Sequence, residues 1–217
     1  MKFFLVIALA CISIIFWNSI VLFPVKLFVV LLHELSHGIA AVATGGGIVR
    51  MEINEMIGGS CQTTGGWPFV IVSSGYLGST MLGGALLLLA QRPGVSRPAG
   101  LIIGILTVAV SVLFIRNLFG IFFGLSFGAA LIVASKYLPA SVVDVLVQYL
   151  GAMSLLYSLV DIKEDLLTLQ HRISDTVILQ QYTGIPALVW GISWSAVAVA
   201  IFIFVMYRAY RRAVIPR

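Results

Sequence analysis

Residues 25–44 read VKLFVVLLHELSHGIAAVAT, twenty positions broken only by Lys26, the cluster His33-Glu34-Leu35-Ser36-His37 and the terminal Thr44. Length and composition predict a membrane-spanning helix. On a helix, His33 and His37 lie one turn apart on one face, so two imidazoles can grip one Zn²⁺. Glu34 points to the side where an activated water would sit. Leu27 to Leu32 before the cluster and Ile39 to Val42 after it are apolar, which rules out a solvated charged face. Two imidazoles and a carboxylate in hydrocarbon cost several kcal/mol unless they do something there, so the cluster is read as a functional site.

Composition extends this reading to the whole chain. Hydrophobic residues make up 60% and charged residues 10% of the 217 positions, and the mean hydropathy is +1.10. Such a chain is an integral membrane protein with no room for a large soluble domain. The net charge of +5 belongs to loops and ends, since Arg208, Arg211, Arg212 and Arg217 follow the last apolar run. Nucleic-acid binding is a poor explanation for it. Two cysteines in unlike settings, Cys11 and Cys61, do not form a disulfide framework.

The apolar runs predict an all-α polytopic fold of about seven transmembrane helices within a single domain, 1–217. The spans are Phe3 to Phe23, the HELSH helix, Trp67 to Ala90, Ala99 to Ile115, Leu118 to Ala134, Ser141 to Val160, and Ile185 to Met206. Lys2 and Ala8-Leu9-Ala10-Cys11 resemble a cleavable signal, but hydrophobicity continues to Phe23, so the segment is read as an uncleaved span. If the C-terminal arginines are cytoplasmic, seven spans put Lys26, Arg92, Arg97 and Lys136 with them and Lys2, Arg50, Arg116, Lys163 and Arg172 opposite.

Residues 45–66 interrupt the helical pattern. Gly45-Gly46-Gly47 ends the HELSH helix, Ile48 to Met56 alternates loosely, and Gly58-Gly59 turns into Ser60 to Thr64. This predicts a small Gly-rich β-hairpin. Its edge, carrying Ile48, Arg50, Glu52 and Asn54, is expected to bind an unwound substrate by main-chain pairing.

A catalytic zinc needs a third protein ligand. Candidates are Glu52, Glu55, Asp144, Asp161, Glu164, Asp165, His171 and Asp175. Asp161 is preferred because it ends an apolar run and shares a helical face with Tyr157 and Ser154. Asp175 is the alternative, although a residue after Ser174 also suits a helix start.

HELSH in an apolar helix, the Gly-rich hairpin and Ser74-Gly75-Tyr76-Leu77-Gly78-Ser79 opening the next span together resemble the M50 site-2-type intramembrane metalloproteases, in particular the compact M50B-like peptidases. The resemblance covers most of the chain. It implies zinc ligation by His33 and His37, a general acid/base role for Glu34, and close packing of the Gly75 to Gly84 span on the catalytic helix. Better-known members complete the metal site with a Leu-Asp-Gly motif, whereas no Asp-Gly pair occurs here; Arg116-Asn117 matches only the Asn part. No PDZ-like insertion is present. The implied activity is zinc-dependent hydrolysis of transmembrane protein substrates in the lipid bilayer, with the cell membrane as the expected location. A metal-binding transporter or channel and a non-catalytic scaffold are the rival readings.

Overall fold

The computed structural model describes residues 2–167 and 174–214, the side chains of 163–167 excepted. Eight α-helices and one hairpin follow in the order α1 (Lys2–Ile15), α2 (Phe23–Ala43), β1 (Gly47–Asn54), β2 (Gly58–Thr64), α3 (Pro68–Ala90), α4 (Ser96–Leu113), α5 (Leu118–Tyr137), α6 (Ala140–Leu167), α7 (Asp175–Thr183) and α8 (Ala187–Val214). The fold is the expected all-α polytopic one with a small antiparallel hairpin. Among the described residues, six helices are long and apolar enough to cross a membrane, against the seven or so expected.

The difference lies at the N-terminus. The expected span Phe3 to Phe23 breaks after Ile15 into a turn and the short 3₁₀ segment Ile20–Leu22, where Ser19 Oγ accepts from the Val21 N–H. Asn18 and Ser19 offer side-chain bonds that compete with a continuous helix, which a hydropathy sum does not register. What remains, α1, is 14 residues long, about 21 Å, short of a hydrocarbon core of about 30 Å. The connection expected over Asp161 to Thr183 is also more ordered than its polarity suggests, because α6 runs on to Leu167 and α7 occupies Asp175–Thr183.

Small residues let the helices approach. A Cβ on Gly83 of α3 would stand 2.9 Å from the Gly151 carbonyl of α6, and one on Gly104 of α4 would stand 2.9 Å from the Gly128 carbonyl of α5. In lipid, where apolar burial between helices gains little, such close van der Waals packing holds the bundle. The helix α3 is antiparallel to α6, pairing Ser79 midway along α3 with Ser158 and placing Ala90, at the end of α3, beside Gln148. The helix α8 runs beside α3, with Trp194 against Tyr76 and Arg212 donating to the Leu88 carbonyl.

The hairpin is wedged into this bundle. Met51 and Ile53 are fully buried, and β1 pairs β2 with a bulge between Ile48 and Arg50. Asn54 Oδ1 accepts from the N–H groups of Met56 and Gly58 and so folds the turn. Ile57 closes it at φ +58°, a conformation costing a β-branched residue about 1–2 kcal/mol.

Candidate metal and catalytic site

The helix α2 begins with Pro24 in its first turn, where a missing N–H is harmless. It presents His33 and His37 towards Gly75 of α3, as the HELSH spacing predicts. The rings lie 4.8 Å apart, edge to face. A Cβ on Gly75 would fall 2.5 Å from His33 Nε2 and 2.6 Å from His37 Cε1. Only glycine leaves the space into which both rings point.

The third group in that space is Asp175, the first residue of α7. Its Oδ2 lies 3.1 Å from His33 Nε2 and 3.3 Å from His37 Nε2. His37 Nδ1 donates to the Ile71 carbonyl at 2.7 Å, which orients the ring and turns Nε2 towards Asp175. Asp175 Oδ2 is itself buried with no hydrogen-bond partner among the described residues. Two ring nitrogens and a carboxylate oxygen thus converge on one point, donor atoms that one cation between them would satisfy together. Donors held about 2.0–2.1 Å from one ion at tetrahedral angles stand about 3.3 Å apart, and the two separations match. The residues present therefore fit a divalent ion with a preference for nitrogen and oxygen donors.

Asp161 stands elsewhere in the site. Its Oδ2 lies 3.8 Å from His33 Nδ1, on the ring edge away from Asp175. Among the described residues, the group whose ligand atoms converge is His33, His37 and Asp175. Asp144 is bound to Lys2 at 2.5 Å at the other end of α6, and Glu52 pairs loosely with Arg50. Glu164, Asp165 and His171 lie outside the residues whose side chains are described.

Glu34 is buried beside the histidines. The hairpin closes over it: a Cβ on Gly59 would stand 2.6 Å from Glu34 Oε1, so glycine there keeps the carboxylate free. A cavity of about 350 Å³ joins these groups, lined by His33, Glu34, Asp161, Asp175, Tyr76 and the hairpin turn. Tyr76 stacks edge-on against His33 at 4.8 Å. Burial and the Glu34 charge push the Cys61 thiol up to about 12.

The open edge expected on β1 is closed. Met51 N–H donates to the Phe114 carbonyl, Arg116 N–H donates to the Met51 carbonyl, and Asn117 brackets Ile53 with two bonds of 2.6 and 3.1 Å. Of the four residues expected there, Asn54 lines the cavity, Ile48 packs on Gly38, and Arg50 bonds Gln62 and Glu52. Sequence alternation could not reveal that the loop between α4 and α5 would supply a partner. Because Met51 and Ile53 spend their main-chain groups on that loop, they form the non-hydrogen-bonded pairs of the ladder, opposite Cys61 and Gly59. The N–H and C=O of Gly59 and Cys61 consequently point outward, and the free edge belongs to β2.

Fold and site together define a polytopic membrane protein with a His–His–Asp cluster that could hold a metal ion and a carboxylate beside it. The Peptidase M50B-like family profile matches residues 6–205, and the chain belongs to that family. Comparison with curated proteins and with solved structures finds no match.

Proposed function

We propose that the protein is an intramembrane zinc metallopeptidase that hydrolyses peptide bonds of transmembrane protein substrates, with His33, His37 and Asp175 as zinc ligands and Glu34 as general acid/base. The observation that carries this reading is the convergence of the His33 and His37 Nε2 atoms on the buried Asp175 oxygen, in a space kept open by Gly75. When bound, Zn²⁺ supplies Lewis acidity for the hydrolysis.

The chain's own groups do the rest. Glu34 takes a proton from the attacking water and returns it to the leaving amine nitrogen. The Ile71 carbonyl holds the His37 ring through Nδ1, and Asp161, 3.8 Å from His33 Nδ1, places a carboxylate beside the other ring, a supporting task in place of the ligand role expected from sequence. A transmembrane helix hides its amides in its own hydrogen bonds, so the substrate must unwind. The outward main-chain groups of Gly59 and Cys61 offer the unwound segment replacement partners at the cavity wall.

The test is co-expression with single-span substrates, wild type against Glu34→Gln. Cleavage by the wild type and loss of it in the variant, with zinc retained, is the expected result. Equal cleavage by both would remove Glu34 from the mechanism.

A further inference from the structure

We infer that Lys26 and the cavity beside the hairpin turn form a subsite for an anionic side chain of the substrate, an Asp or Glu about three residues from the bond that is cut. This subsite rests on the peptidase reading and narrows the class of substrate it takes.

Lys26 lies in the first turn of α2, seven residues before His33, and so on the same helical face as Val30 and His33. A lysine at the start of a membrane helix ordinarily stretches its ammonium out to water. Lys26 turns inward instead. The residue is 6% exposed, and its Nζ sits 4.5 Å from the centroid of the Trp17 ring, which is backed in turn by Tyr157 at 5.3 Å. A cation held against an aromatic face, in a helix otherwise apolar up to His33, is costly to keep and marks a functional position.

A second cavity, of about 220 Å³, opens beside it, lined by Asn18, Ser19, Ile20, Phe23, Lys26 and Ile57. No acidic side chain is among them. Ser19 Oγ accepts from the Val21 N–H, which leaves its hydroxyl proton to donate, and Asn18 brings an amide N–H. One cation and two further donors between apolar walls suit a carboxylate carried on a short aliphatic stem.

The spacing matches an extended peptide. The hairpin runs back along α2, with Ile48 on Gly38, Gly59 over Glu34 and Val30, and Ile57 beside Lys26. Ile57 also lines the cavity of the metal site, so the two spaces share a wall. Lys26 is about 10 Å from His33 along the helix, the length of about three residues of extended chain. A substrate strand laid on the free edge of β2, with its scissile carbonyl at the metal site, therefore brings a side chain about three residues away to the second cavity. The shared wall favours a substrate carboxylate over a lipid phosphate as the occupant.

Binding to the Glu34→Gln protein tests this without calling on cleavage. Fluorescent single-span peptides carrying one Asp, moved position by position through the span, are titrated in detergent micelles beside peptides with Asn or Lys at the same positions. At one position or a neighbouring pair, Asp should bind about 10-fold more tightly than Asn. Lys26→Arg should retain that preference, Lys26→Met should abolish it and Lys26→Glu should transfer it to Lys, each with the zinc content of the Glu34→Gln parent. Indifference to Asp at every position, or a preference that survives in Lys26→Met, overturns the inference. So does an anionic phospholipid that copurifies with the wild type and is lost from Lys26→Met while peptide affinities stay unchanged, since the cavity would then be a headgroup site. Absent cleavage of the preferred peptide by the wild type, with the binding preference intact, would remove the peptidase reading and leave the anion subsite standing.

Discussion

Asp175 Oδ2 stands 3.3 Å from His37 Nε2, so the residue that opens α7 reaches back to the HELSH helix. Helix-start chemistry and metal ligation are thus compatible at one position: Ser174 takes the N-terminal position, its hydroxyl bonded to Thr176 Oγ1, and the Asp175 carboxylate is left to turn inward. Asp175→Asn should strip zinc from the purified protein and abolish cleavage, since an amide is a poor ligand in place of an anion. Asp161→Asn should keep zinc near one equivalent while lowering turnover by about 10–100-fold, the usual range for an outer-shell partner. Metal analysis of both variants checks this, and loss of zinc in Asp161→Asn alone would return the ligand role to Asp161.

Gly75→Ala should be as damaging as loss of a ligand although it removes no functional group. The added methyl would occupy the space 2.5 Å from His33 Nε2, forcing at least one ring out of line. Zinc content should fall well below that of Gly78→Ala, whose methyl meets the Ser36 side chain and not a histidine. Equal zinc content in the two variants would mean that the space beside Gly75 is not where the metal sits.

Strand β2 separates two kinds of main-chain group at neighbouring residues. Ser60 lies opposite Glu52 in a hydrogen-bonded pair, whereas Cys61 turns its N–H outward. Cys61→Pro should spare the hairpin and zinc binding yet weaken substrate processing, while Ser60→Pro should disturb the ladder itself and lower thermal stability. Thermal unfolding read beside the cleavage rate distinguishes them. Unchanged processing by Cys61→Pro would argue against strand addition at this edge.

How far these features were legible in the sequence follows from the range of the forces involved. Apolar runs and the HELSH spacing are local, so the helices and the His33–His37 pair could be read directly. Gly58-Gly59 and the weak alternation gave the hairpin, but not its neighbours. The pairing of Met51 with the loop after α4 joins segments more than sixty positions apart, and a ligand choice between Asp161 and Asp175 depends on how α6 and α7 pack. Asp161 carried the stronger local signal, an acid ending an apolar run; Asp175 wins the central position because α7 folds back over the site. Ser74-Gly75-Tyr76 held the remaining clue, since a glycine facing two histidines marks where a methyl group cannot be accommodated.

Zinc K-edge X-ray absorption on the purified wild-type protein is the most direct test of the central claim. The spectrum should report one zinc bound by two imidazole nitrogens and by oxygen, at about 2.0–2.2 Å and with no sulfur, and the imidazole signature should weaken in His37→Ala. A protein that carries no zinc after loading, a sulfur shell at about 2.3 Å, or a spectrum indifferent to His37→Ala would contradict it.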